Sequence, residues 1–95
     1  MEKPALQAPV INLNGTSAES LVTEYREASR TLRAAIKAVE NITVHGRDYQ
    51  TVARGLYLTA RSEQEARLIK LQEVLGEIES LHEQVYEQQL ARKRA

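Results

Sequence analysis

TSAESLVTEYREASRTLRAAIKAVENIT, residues 16–43, is the stretch whose reading decides the fold. Within it Leu21, Tyr25, Ala28, Leu32, Ala35, Val39 and Ile42 recur at alternating spacings of four and three. That rhythm predicts a helix with an a/d stripe along one side, sustained over about three heptads. Thr16-Ser17-Ala18-Glu19 spells a capping box, in which Thr16 accepts from the N3 amide and Glu19 reaches back to the cap. Helix one is therefore expected over about residues 17–43, roughly 40 Å at 1.5 Å per residue. Ala28, Thr31, Ala34, Ala35 and Ala38 give it a flank of small residues that a partner helix can approach.

Downstream, Leu68, Leu71, Leu75, Ile78, Leu81 and Val85 form a second apolar stripe. Between the two lies Val44-His45-Gly46-Arg47-Asp48-Tyr49, where Gly46 is a natural helix stop and Asp48 a natural cap for the second helix. The expected loop spans about residues 44–51 and helix two about 52–89, with a break near Gly55 as the competing reading. Ser62-Glu63-Gln64-Glu65 is a second possible helix start. Gly76 inside the helix is unfavourable by roughly 1 kcal/mol relative to Ala, which points to close packing there. Helix two would overhang helix one near Glu83 to Leu90 and need cover from another chain.

The fold expected is all-α: an antiparallel two-helix hairpin with a coiled-coil-like seam, self-associating into a helical bundle. Residues 1–15, with Pro4, Pro9, Gly15 and the short apolar patch Val10-Ile11-Asn12-Leu13, read as an N-terminal tail or an arm for a neighbour. Residues 16–95 form the hairpin domain. With 95 residues, no Phe and no Trp, the core is built from Leu, Ile, Val, Ala and Tyr. Small domains with so little burial generally rely on oligomerisation or cross-links, and there is no Cys to supply the latter.

Composition narrows the function classes. The formal net charge is zero, which argues against a general nucleic-acid binder. No apolar run approaches the roughly 20 residues of a spanning helix, and the first ten residues lack the apolar segment of a signal peptide. No membrane partner is expected, and absence of Cys fits a reducing cytoplasm. Asn14-Gly15-Thr16 and Asn41-Ile42-Thr43 match glycosylation sequons, but Asn14 and Thr16 serve better as capping residues.

Arg26, Arg30, Arg33 and Lys37 make a basic stripe on helix one. Glu73, Glu77, Glu79, Glu83 and Glu87 line the facing part of helix two, so solvated or mutually paired faces compete with phosphate binding. The loop is the better candidate. His45, Arg47, Asp48, Tyr49, Arg54, Tyr57 and Arg61 gather guanidiniums, a carboxylate and two phenols around the bend. Arginine recognises phosphate in bidentate fashion and tyrosine stacks on flat rings, so a nucleotide-type anion suits the set. The alternative is structural, with Asp48 pairing Arg47 or capping the helix while Tyr49 plugs the hairpin end.

Enzymatic readings find little support. His45 and His82 lie far apart in sequence without ligand spacing for a metal, and there is no Cys nucleophile or Gly-rich phosphate loop. The chain is expected to be non-catalytic, without cofactor or metal.

Leu13-Asn14-Gly15-Thr16-Ser17, His45-Gly46-Arg47-Asp48-Tyr49 and Ala60-x-x-Glu63-Gln64-x-x-Arg67 together resemble a group of short phage and prophage proteins. The likeness covers roughly residues 11 to 80. Gln64 stands where that pattern often has His, and Gln50 where it often has a second Tyr. The resemblance implies a phage setting, in the cytoplasm of an infected bacterium, and carries no activity with it. Expected partners are a second copy of the chain, and a nucleotide-type small molecule or a host defence protein. Three roles are compatible with this: an anti-defence protein that sequesters a nucleotide-type immune signal, a direct inhibitor of a host or defence protein, or a passive scaffolding part.

Overall fold

The computed structural model describes residues 6–49 and 55–94, whose regular elements are all helical, with no strand among the described residues. Helix α1 runs Ala18–Glu40 and helix α2 runs Leu56–Arg94, with a single 3-10 turn, Gly46–Tyr49, at the bend. At 23 and 39 residues, the helices are about 35 and 58 Å long. No described helix is apolar enough to cross a membrane.

Helix α1 is shorter than expected at both ends. Its N-cap is Ser17, not Thr16: Ser17 is extended (φ −63°, ψ 152°) and its Oγ accepts the Ser20 amide at 3.2 Å. Ser17 Oγ also donates to Ser20 Oγ at 2.9 Å, so a serine pair replaces the Thr16–Glu19 box. Just ahead, Asn12 Oδ1 accepts the Asn14 amide at 3.0 Å and the Asn12 carbonyl accepts the Gly15 amide at 3.2 Å. Asn12 thus makes the turn ahead of the helix, and the cap is Ser17 rather than Asn14 or Thr16, the expected capping residues. A Cβ on Gly15 would stand 3.2 Å from Asn12 Nδ2 and would press on that side-chain amide.

The other end stops at Glu40 rather than Thr43. The Asn41 amide is shared between the Lys37 and Ala38 carbonyls at 3.2 Å each, and the Ile42 amide reaches the Val39 carbonyl at 3.1 Å. Gln64 of α2 donates to that same Val39 carbonyl at 2.8 Å. The helix end is therefore sealed by a buried side chain from its partner helix, and Gly46, the expected stop, begins the 3-10 turn instead.

The expected start of helix two near residue 52 lies outside the described residues. The Gly55 carbonyl accepts both the amide and the hydroxyl of Thr59 at 3.1 Å, and the helix begins at Leu56. Ser62 lies within it as an ordinary exposed residue. The helix continues past Gln89 to Arg94, and basic residues in its last turns suit the negative end of the helix dipole.

The helices are antiparallel, since Val39 meets Gln64, Arg33 Nη2 meets Glu79 Oε1 at 3.2 Å, and the arm meets Gln88. The stripe that α1 buries differs from the expected one. Val22, Ser29 and Ile36 are buried, with Ala18, Tyr25, Leu32 and Val39 half-buried beside them. Leu21, from the expected stripe, is half-buried too, whereas Ala28 and Ala35 are exposed and Ile42 keeps 56% of its surface in water. Tyr25, Leu32 and Val39 belong to both readings, and from that row the three-four alternation can be continued on either flank. Spacing alone leaves the choice open. Burial selects Val22, Ser29 and Ile36, where Ile36 removes far more apolar area from water than Ala35 could, and leaves Leu21 half-buried at the edge.

Leu68, Leu71, Leu75, Ile78 and Leu81 of α2 are half-buried and Val85 is wholly buried, as their spacing predicts. The overhang expected near Glu83 to Leu90 is covered from within the chain. Gln88 Nε2 donates to the Pro9 carbonyl at 2.8 Å, and Gln88 Oε1 accepts the Ile11 amide at 2.9 Å. The N-terminal arm thus lies on its own α2, held through both functions of one amide side chain. Gly76 also differs from expectation: a Cβ there would have no neighbour within 4 Å, so no close packing explains it.

The bend as candidate functional site

The bend inherits its geometry from the unequal helix lengths. Helix α1 ends at Glu40, while α2 extends beyond it toward Leu56, so the 3-10 turn returns along the uncovered start of α2. The Asp48 amide donates to the His45 carbonyl at 3.0 Å, and His45 Nδ1 accepts the Arg47 amide at 3.1 Å. The imidazole is thereby tied to the turn's own backbone.

Tyr49 and Tyr57 come together across the bend, with ring centroids 6.1 Å apart and planes tilted by 46°. That separation is within the range of an edge-to-face aromatic pair. Both rings are half-buried, while His45, Arg47, Asp48 and Arg61 are exposed. Arg61 Nε lies 3.5 Å from Glu65 Oε1, one turn along α2. Among the described residues, no ion pair joins Arg47 to Asp48. Arg54 lies outside the described residues.

The structure therefore brings the two phenols together and leaves Arg47 presented to solvent beside them. Tyr49 is half-buried at the end of the hairpin, where its ring meets Tyr57. Asp48 caps no described helix: its amide, rather than its carboxylate, closes the turn.

Sequence reading overlooked the neighbouring floor. Val39, Ile42, Gln64, Arg67, Lys70 and Leu71 line a cleft of about 500 Å³ at this end of the hairpin. Gln64 is buried and Arg67 Nη1 donates to its Oε1 at 3.3 Å, so the amide links the α1 terminus to a guanidinium. Arg67 Nη2 also lies 3.8 Å from Glu63. The signal for Gln64 was its place on the same side as Leu68 and Leu71, where a polar residue needs a partner. Beyond the cleft, Leu58 and Ile69 are 63% and 56% exposed. Eleven residues apart, they point within about 20° of one another at 3.6 residues per turn.

Compared with protein-family models, with curated proteins and with solved structures, the chain finds no match.

Proposed function

We propose that this chain is a non-catalytic accessory binding protein of phage type, an anti-defence protein that sequesters a nucleotide-type signal at the bend. The observation that carries the reading is the Tyr49–Tyr57 pair beside the exposed Arg47. A tilted aromatic pair offers a face for a flat ring, and a guanidinium without a carboxylate partner among the described residues is ready for a phosphate. The phage setting, in the cytoplasm of an infected bacterium, rests on the resemblance of the Asn14–Ser17 and His45–Tyr49 segments.

The working unit in this reading is a homo-oligomer. Leu58 and Ile69 lie on one side of α2, both exposed. A second copy that covers this side would bring two bends near one another and complete the coiled-coil-like seam.

Calorimetric titration of cyclic and linear nucleotides into wild type and Arg47→Ala tests the site. Binding by wild type that is lost in a folded Arg47→Ala protein supports the reading. Full phage protection by Arg47→Ala removes the site from the bend. A second reading, direct inhibition of a host or defence protein, draws on the same exposed Leu58 and Ile69. It requires protection to survive Arg47→Ala and to fail in Ile69→Glu.

A further inference from the structure

The middle of the hairpin holds polar groups that the fold does not use. Ser29 is 6% exposed, and its Oγ has no hydrogen-bond partner although it sits on the buried side of α1. Across the helix pair, His82 Nε2 is also buried and also unpartnered. Leaving a buried polar group unsatisfied is unfavourable by about 1–3 kcal/mol. Two of them on one cleft call for a reason.

Both residues line a cleft of about 570 Å³, within the size range of small-molecule sites. One wall carries Arg26, Arg30 and Arg33, spaced four and three along α1, and the other carries Glu79 and Glu83. The internal pairing is incomplete. Arg33 is held by Glu79 at 3.2 Å, and Arg30 is held by Glu27 outside the cleft. Arg26 and Glu83 make no ion pair among the described residues. Gly76 lines the same cleft, where a side chain would find open space, so packing does not account for its choice.

We infer that this cleft, separate from the bend, is a site for a small phosphate-bearing polyol. The phosphate is held by Arg26 and the neighbouring guanidiniums, with Ser29 presenting its hydroxyl after one rotation about χ1. Phosphate oxygens accept from guanidinium N–H and from hydroxyl O–H alike, which matches the cationic wall, and Ser29 and His82, whose polar atoms lie closed off beneath the cleft, reach the ligand once their side chains turn outward. The carboxylate of Glu83 accepts from hydroxyl groups on the ligand's carbon skeleton, which lie beyond the phosphate and have no counterpart in inorganic phosphate. Ser29 and His82 are then polar groups kept for recognition at the expense of packing.

Glycerol 3-phosphate serves as the probe, with inorganic phosphate and glycerol as separate arms, read by calorimetry and by amide and imidazole NMR shifts. Wild type should bind glycerol 3-phosphate more tightly than inorganic phosphate and should not bind glycerol, with shifts centred on Ser29 and His82. Arg26→Ala should weaken binding about tenfold, as loss of a charge-assisted contact does. Ser29→Ala should weaken it several-fold while melting no lower than wild type, because the hydroxyl it removes has no partner in the free protein. Arg47→Ala should bind glycerol 3-phosphate as wild type does. No binding by wild type, equal binding by Arg26→Ala, or shifts centred elsewhere would each overturn the inference. A fall in melting temperature for Ser29→Ala would show the hydroxyl to be structural and overturn its assigned role.

Discussion

At the arm end of the hairpin Val85 is wholly buried and Gln88 grips both Pro9 and Ile11, whereas at the bend end Ile42, Leu58 and Ile69 each keep more than half of their surface in water. The same two helices run through both regions. What differs is the third element: residues 6–13 cover α2 at one end, and at the other α1 has already stopped. A pair of helices leaves each of them covered on one side only, and a short extended segment suffices to close the gap. The arm end is therefore clamped within one chain at Val85 and Gln88, although the arm itself turns Val10 and Leu13 to solvent, 75% and 92% exposed. The bend end combines apolar surface with Arg47 and the tyrosine pair, the combination expected where something else docks.

The comparison breaks most visibly if the arm end is disturbed. Val85→Asp places an unpaired charge at the most buried position, a penalty of several kcal/mol, and should abolish helicity by circular dichroism. Deleting residues from Gln84 onward should do nearly as much, since it removes Val85 and the Gln88 clamp together. Had the overhang been open, that deletion would have left the hairpin helical and changed only its association. Retained helicity in both variants would mean that the arm end is not the stable half.

Gln88→Ala is a finer cut. It removes both hydrogen bonds to the arm, about 1 kcal/mol for each, so the melting temperature should drop and the Ile11 amide should exchange faster with solvent. At the waist, Gly76→Ala should act in the opposite direction. A methyl group there meets open space, and the helix propensity gain of up to about 1 kcal/mol should raise the melting temperature. A lower value would show that Gly76 supports a contact between chains.

The surface ion pairs should matter least. Arg33→Ala breaks the pair with Glu79 on a surface where both side chains are substantially exposed, worth under about 1 kcal/mol. Glu27 accepts hydrogen bonds from Arg30, and that bonding and charge hold its carboxyl below the usual carboxylate range. Its contribution is accordingly present at neutral pH and lost as the pH falls through the lowered value. Because the Glu27 side chain is 58% exposed, Glu27→Gln should melt close to wild type at neutral pH, and the two melting curves should converge in acid.

The hairpin itself was legible because the three-four alternation and the Leu stripe from Leu68 to Val85 have no good alternative. Which flank of α1 is buried was not. Tyr25, Leu32 and Val39 are compatible with Leu21, Ala28 and Ala35 on one side or with Val22, Ser29 and Ile36 on the other. Ser29 disguised the correct flank, because a polar residue at a core position breaks the apolar pattern. The arm clamp was hidden for a different reason: a glutamine carries no periodic signal for a contact with residues nearly eighty positions away. At the bend, composition named the residues, and the pairing of Tyr49 with Tyr57 needed the turn geometry set by His45 and Asp48. Ser17 outcompeted Thr16 as the cap because Ser20 supplies it with a second bond.

Sedimentation equilibrium of wild type beside Ile69→Glu, at micromolar concentration and with circular dichroism on the same samples, tests the claim that the bend end is built for a partner. The account predicts an oligomeric wild type and a monomeric variant of unchanged helicity, since Ile69 lies outside the packed stripe. A monomeric wild type, or an oligomer that Ile69→Glu leaves intact, would contradict it.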